Sequence, residues 1–141
     1  MPSYWIVKSE PSTYSFGDLV RDGRTRWDGV RNPQALIHLR GMRKGDRVLF
    51  YHTGGEKALV GLARVAGAPY PDPAGGDPLQ TVIDIEADRA LPRPVTLAEV
   101  KAEPALAALG LVRQGRLSVM PVTSEQWRQL ADMSRQGSVP R

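Results

Sequence analysis

Tyr4-Trp5-Ile6-Val7-Lys8-Ser9-Glu10-Pro11 opens as an apolar strand and stops abruptly at Glu10-Pro11, where proline removes a ladder donor and restricts the residue before it. Downstream, Arg26-Trp27-Asp28-Gly29-Val30-Arg31-Asn32 sets an indole beside acid, glycine and arginine in what reads as a loop. Together the two segments crowd aromatic, charged and amide side chains. That mixture suits a pocket for something flat and polar.

Working outward, Ser15-Phe16-Gly17-Asp18 has capping-box spacing for a brief helical turn that Gly23 ends. Asn32-Pro33 starts a helix, because Asn caps free amides and Pro suits the first helical position; the helix runs to about Arg40 and Gly41 closes it. After the Gly45-Asp46 turn, Arg47 to His52 and Ala58 to Ala66 read as an antiparallel hairpin around Thr53-Gly54-Gly55-Glu56. Gly67 to Pro78 is dense in Pro and Gly and reads as an exposed loop without regular structure. Thr81 to Glu86 is a strand, Thr96 to Glu103 and Pro104 to Leu109 are helical, and Gly110 is a helix stop. Leu117 to Met120 is a short strand, and a last helix from Thr123 carries Trp127 and Leu130. Trp5 and Trp127 sit in apolar patterns and belong to the core.

At 141 residues the chain is the size of one domain and long enough for a core. It has no cysteine, which excludes disulfides, thiolate metal sites and thiol nucleophiles. No secretory leader is read at Met1-Pro2-Ser3 and no stretch approaches membrane-spanning length, so a cytoplasmic protein without membrane contact is expected. The net charge is +4 and arginine far outnumbers lysine, which favours bidentate contacts to phosphate and stacking on bases. The same composition also fits an ordinary solvated surface. Short strands and hairpins separated by short helices give an α+β fold on a curved, mainly antiparallel, barrel-like sheet.

Four strings in order, Tyr4 to Pro11, Trp27-Asp28-Gly29-Val30-Arg31-Asn32, Gly45-Asp46-Arg47-Val48-Leu49-Phe50-Tyr51-His52 and Arg116-Leu117-Ser118-Val119-Met120-Pro121-Val122, resemble the EVE domain of the PUA-like superfamily. The resemblance implies a PUA-like β-barrel flanked by short helices, related to YTH and ASCH domains, with residues 1–133 as one domain and 134–141 as a flexible tail. It implies a non-catalytic reader of a modified base, such as 5-methylcytosine or another methylated base in DNA or RNA, that needs no cofactor. On this chain Trp27 becomes one wall of the base pocket, with Lys8, Ser9 and Glu10 on the floor and Asp28 and Asn32 nearby. Arg26, Arg31, Arg40, Arg43 and Lys44 are close in sequence and are expected to hold flanking phosphates.

The chain departs from the family where Pro33-Gln34-Ala35-Leu36-Ile37 replaces an aromatic, an Arg and an Asn, and where Gln80 stands at a position often held by Trp. Tyr70, in the Pro-rich loop, is the substitute expected for the second wall. An alternative is an ASCH-like enzyme acting on RNA or a small nucleoside or amide, with Lys8, Glu10 and His52 as acid–base groups. A third is a protein-interaction module. His38 and His52 are the only histidines, and neither H-E-x-x-H nor G-x-S-x-G occurs. Trp27 and Asn32 also admit structural roles, as a core cap and a helix cap.

Overall fold

The computed structural model describes residues 2–75, 77 and 79–136. In chain order the elements are β1 (Tyr4–Ser9), α1 (Phe16–Asp22), β2 (Arg24–Trp27), α2 (Pro33–Gly41), β3 (Arg47–His52), β4 (Ala58–Val65), β5 (Tyr70–Pro71), β6 (Thr81–Thr96), α3 (Leu97–Ala102), a 3-10 turn (Pro104–Leu106), α4 (Gly110–Arg113), β7 (Val119–Val122) and α5 (Ser124–Gln136). The strands form one mixed sheet in the order β2-β6-β4-β3-β1-β7, with β5 added on β6. No helix among the described residues is long and apolar enough to cross a membrane.

The β1 strand decides this arrangement. Trp5, Ile6 and Val7 are all buried, so the strand is covered on both faces, as a continuous apolar run demands. It pairs antiparallel with β7 and parallel with β3. Antiparallel neighbours can be joined by a tight turn, whereas a parallel pair needs a long crossover. Here the crossover carries α1, β2 and α2, and it delivers Trp27 and the loop after it to the end of β1.

Three elements differ from the sequence reading. Trp27 ends a strand rather than lying in a loop, since β2 pairs with β6 and sets Trp27 opposite Ile83. Arg24 and Arg26 point outward while Thr25 and Trp27 turn inward, and the arginines hide a strand alternation only four residues long. Tyr70–Pro71 is a short edge strand against Val82 and Thr81 inside the Pro-rich loop. Gly110 begins α4 instead of ending a helix. A methyl at Gly110 would lie 3.2 Å from the Met120 Cβ, so glycine is there for close packing.

The β6 strand also runs on to Thr96, well past Glu86. Pro92 and Pro94 hide this in the sequence. They fall where Gly61 pairs with Ala90 but Leu59 pairs with Val95, an irregularity in which ladder donors are not needed. Such bulges bend the long strand and curve the sheet. At the other end of the chain α5 continues through Gln136 with Ser134 only 3 % exposed. The tail expected from residue 134 is therefore helical to 136, and 137–141 lie outside the described residues.

Phe50 is the centre of the core. Its ring meets Phe16 at 5.5 Å, Trp27 at 5.4 Å and His52 at 5.7 Å, all edge-on, the geometry that aromatic quadrupoles favour. Trp5 is a core residue, as expected, and its Nε1 donates to Asp46 at 2.9 Å. Trp127 is half-buried and stacks on Tyr4 with centroids 4.6 Å apart.

Candidate functional site

A cleft of about 580 Å³ opens where the C-terminal end of β1 meets the β2–α2 loop, and it is lined by Lys8, Ser9, Glu10, Thr13, Tyr14, Thr25, Arg26, Trp27, Asp28, Gly29, Val30, Arg31 and Ser118. This is within the volume range of ligand pockets. The two segments singled out in the sequence therefore meet. Lys8, Ser9, Glu10, Trp27 and Asp28 face one cavity, with Arg26 and Arg31 on its rim.

Each wall is fixed locally. Glu10 turns the chain through its carbonyl, which accepts from the amides of Thr13 and Tyr14, both at 2.9 Å. The Ser9 hydroxyl donates to the Tyr14 carbonyl at 2.5 Å, which leaves its oxygen lone pairs free to accept. Ser15 and Asp18 form a reciprocal capping box at the start of α1. The Tyr14 ring stands edge-on to Trp27 with centroids 6.4 Å apart. On the other wall, Gly29 takes a φ of 75°, a left-handed turn that favours glycine. Val30 is buried behind it, and its carbonyl accepts from the Gln80 amide nitrogen at 2.6 Å.

Trp27 is only 9 % exposed and packs on both Phe50 and Tyr14. It is a core residue and a pocket wall at once, presenting a limited part of the indole to the cleft. The Lys8 ammonium donates to the Gly115 carbonyl at 2.8 Å and lies 5.7 Å from the centroid of the Tyr51 ring. Burial pushes its pKa down. The Glu10 carboxylate accepts from the Ser12 hydroxyl at 3.1 Å and the Thr53 hydroxyl at 3.3 Å.

Several expected site residues are placed elsewhere. The Asn32 side chain caps α2, accepting from Gln34 N at 2.9 Å and Ala35 N at 3.1 Å, and it does not line the cleft. Tyr70 is also outside it, because its hydroxyl is held by Asp84 at 2.7 Å. The Tyr70 hydroxyl lies near Arg26 and pushes the arginine's pKa up. Arg40 is engaged by the Leu79 carbonyl at 3.1 Å and the Thr81 hydroxyl at 3.3 Å. Arg43 and Lys44 precede β3, while the cleft lies beyond the far end of the parallel β1. Six residues of strand put about 17 Å between the two ends.

The structure adds Tyr14, Thr25, Thr13 and Ser118. Thr25 was detectable in principle, being two residues from Trp27 and so on the same strand face. Tyr14 and Ser118 depend on how α1 and β7 pack, which no local pattern announces.

Lys8, Glu10 and His52 do not assemble as an acid–base set. His52 is outside the cleft. Its Nε2 accepts from the Phe16 amide at 2.9 Å, so Nδ1 carries the proton and donates to Glu56 at 2.8 Å. With both ring nitrogens in use, the imidazole is a structural bridge between α1 and the hairpin.

The chain is an α+β domain in which a curved mixed sheet carries a polar cleft lined in part by Trp27 and Tyr14. The EVE domain matches residues 3–133, and the chain belongs to that family. Thymocyte nuclear protein 1 of Homo sapiens is 31 % identical over 161 aligned positions, covering 90 % of this chain and 72 % of the relative. A protein from Rhodopseudomonas palustris solved by NMR is 44 % identical with a TM-score of 0.90, over 99 % of this chain and 96 % of its own. Human THYN1, solved in complex with DNA containing 5-methylcytosine, is 28 % identical with a TM-score of 0.87, over 95 % of this chain and 98 % of its own.

Proposed function

We propose that this protein binds DNA carrying a modified cytosine of the 5-methylcytosine type, and holds the base in the cleft that Trp27 and Tyr14 help to line, without altering it. The observation that carries the reading is the meeting of these two rings with Ser9, Asp28, Thr25 and Lys8 in one base-accommodating cavity. The relative solved with 5-methylcytosine-containing DNA supports the choice of ligand.

The chemistry follows from what an extruded cytosine presents. Its ring loses stacking in leaving the helix, and an aromatic wall returns about 1–3 kcal/mol. Its exocyclic amine donates, which matches the carboxylates of Asp28 and Glu10; its ring nitrogen and carbonyl accept, which matches Thr25 and the two remaining protons of Lys8. Val30 and the indole edge offer apolar contact for a methyl group. Arg26 and Arg31, exposed residues of the cleft lining, contact the adjoining phosphates in this reading. Binding without turnover is favoured because the histidine needed for acid–base work is committed elsewhere.

The test is a titration of the purified protein against matched single- and double-stranded DNA and RNA bearing cytosine, 5-methylcytosine or 5-hydroxymethylcytosine, followed by analysis of the recovered strands. Preference for methylated DNA, recovered intact, is expected. Equal affinity for unmodified strands overturns base reading, and a shortened or deaminated product overturns the non-catalytic assignment.

A further inference from the structure

A second groove of about 230 Å³ adjoins the base cleft and is lined by Lys8, Tyr51, Thr53, Gly54, Lys57, Leu97, Lys101, Leu111, Val112 and Gly115. We infer that it is a backbone subsite, in which Lys57 and Lys101 hold the phosphates of the strand whose base occupies the cleft. This rests on the base-binding reading and names the path the strand takes.

Three observations carry it. First, the groove and the cleft are continuous through one residue: Lys8 lines both. Its ammonium is anchored on Gly115, between Tyr51 below and the cleft beside it. Second, Lys57 and Lys101 are exposed, and neither takes part in a salt bridge among the described residues, where the other pairs engage Arg21, Arg24, Arg64, Arg93, Arg135 and His52. Cations that no acid neutralises are the ones free to exchange counterions for phosphate. Third, Lys57 has a φ of 48°. Holding a long side chain in the left-handed region costs stability, and such positions persist where surrounding structure enforces them. Here the Lys57 carbonyl is pinned by the Leu97 amide at 2.8 Å, which fixes the hairpin turn against the start of α3 and directs both lysines to one groove.

Glu10 stands at the junction with opposite charge. Its carboxylate lines the cleft and is engaged by the hydroxyls of Ser12 and of Thr53, the latter also a residue of the groove. Charge and position also explain why this subsite lies with the hairpin turn and not with Arg43 and Lys44, which sit at the other end of β3.

The experiment compares wild type with Lys57→Asn/Lys101→Gln and with Arg43→Gln/Lys44→Gln, measuring affinity for a methylated oligonucleotide over a salt series. Asn keeps the left-handed turn and Gln keeps the helix, and thermal melts verify folding. Loss of two contacts is expected to flatten the slope of log K against log salt by about 1.4–1.8, at roughly 0.7–0.9 per phosphate. The ratio of methylated to unmethylated affinity stays unchanged, and the Arg43/Lys44 variant behaves as wild type. Should the double lysine variant fail to fold, Lys101→Gln alone is expected to give half the change. An unchanged slope, or a loss confined to the Arg43/Lys44 variant, overturns the subsite while leaving base reading standing. A wild type indifferent to methylation, with a double lysine variant that still flattens the slope, overturns base reading and keeps the groove as a phosphate site.

Discussion

The Phe16 ring rests directly on the backbone of Gly61: a methyl group at that α-carbon would overlap the ring's Cε1, Cζ and Cδ1 atoms. This contact seats α1 on the sheet beside Phe50 and the His52 bridge. It also sets the position of Tyr14, two residues upstream, and so one wall of the cleft. Gly61→Ala is expected to lower unfolding free energy by about 1–3 kcal/mol through overpacking, measured by urea denaturation. An unchanged midpoint would show that α1 shifts freely, and the cleft wall would then not depend on this packing.

The two rings of the cleft differ in what their removal costs. Trp27 is buried against Phe50 and Tyr14, so Trp27→Ala is expected to cost about 3–5 kcal/mol of stability and to confound any binding assay. Tyr14 is half-buried and its hydroxyl donates to Asp22 at 2.9 Å. Tyr14→Leu is therefore the informative change: affinity for methylated DNA should weaken by about 1–3 kcal/mol in a protein whose melt is little altered. Undiminished affinity in the folded variant would remove Tyr14 from the base site.

Much of this was legible in the residues, and the reasons for what was not are physical. The β1 strand announced itself by an unbroken apolar run, though its parallel pairing with β3 did not, and α2 by Asn32-Pro33, because burial and capping are local. The hairpin from Arg47 to Val65 was likewise punctuated by its glycines. Trp27's strand was masked by flanking arginines, and the second half of β6 by prolines that a bulge accommodates. For the candidate site, chain proximity did not give spatial proximity: Arg43 and Lys44 follow Trp27 in sequence, but a helix carries them to the end of the sheet away from the cleft. Tyr14 could not be distinguished from Tyr70 without knowing that Asp84 holds the latter.

The Gln80 side chain tests whether the cleft must be preorganised. Its side-chain amide donates a hydrogen bond to the Val30 carbonyl and so ties the Asp28-Gly29-Val30-Arg31 loop to the start of β6. Gln80→Leu removes a donor of ordinary strength, worth about 1 kcal/mol. The expected result is roughly fivefold weaker binding of methylated DNA, with the salt slope unchanged, since no phosphate contact is lost. A change in slope instead would mean that the loop arginines, and not the base, depend on this bond.

Away from the site, the Arg93–Glu99 pair makes stability sensitive to acid. The hydrogen-bonded Arg93 guanidinium, with help from Thr96, lowers the Glu99 pKa from 4.5 to about 2. A carboxylate whose folded pKa is depressed contributes stability that is fully present above the unfolded value and is lost as pH falls through the folded one. The window is therefore pH 4.5 down to about 2. The side chain is 36 % exposed, so screening holds the contribution to about 1 kcal/mol or less. Glu99→Gln keeps the capping box with Thr96 but loses the charge. It should be less stable than wild type at pH 7 by that amount, and the two denaturation curves should converge as pH is lowered through the window. A difference that persists at pH 2 would assign the effect to the cap and not to the ion pair.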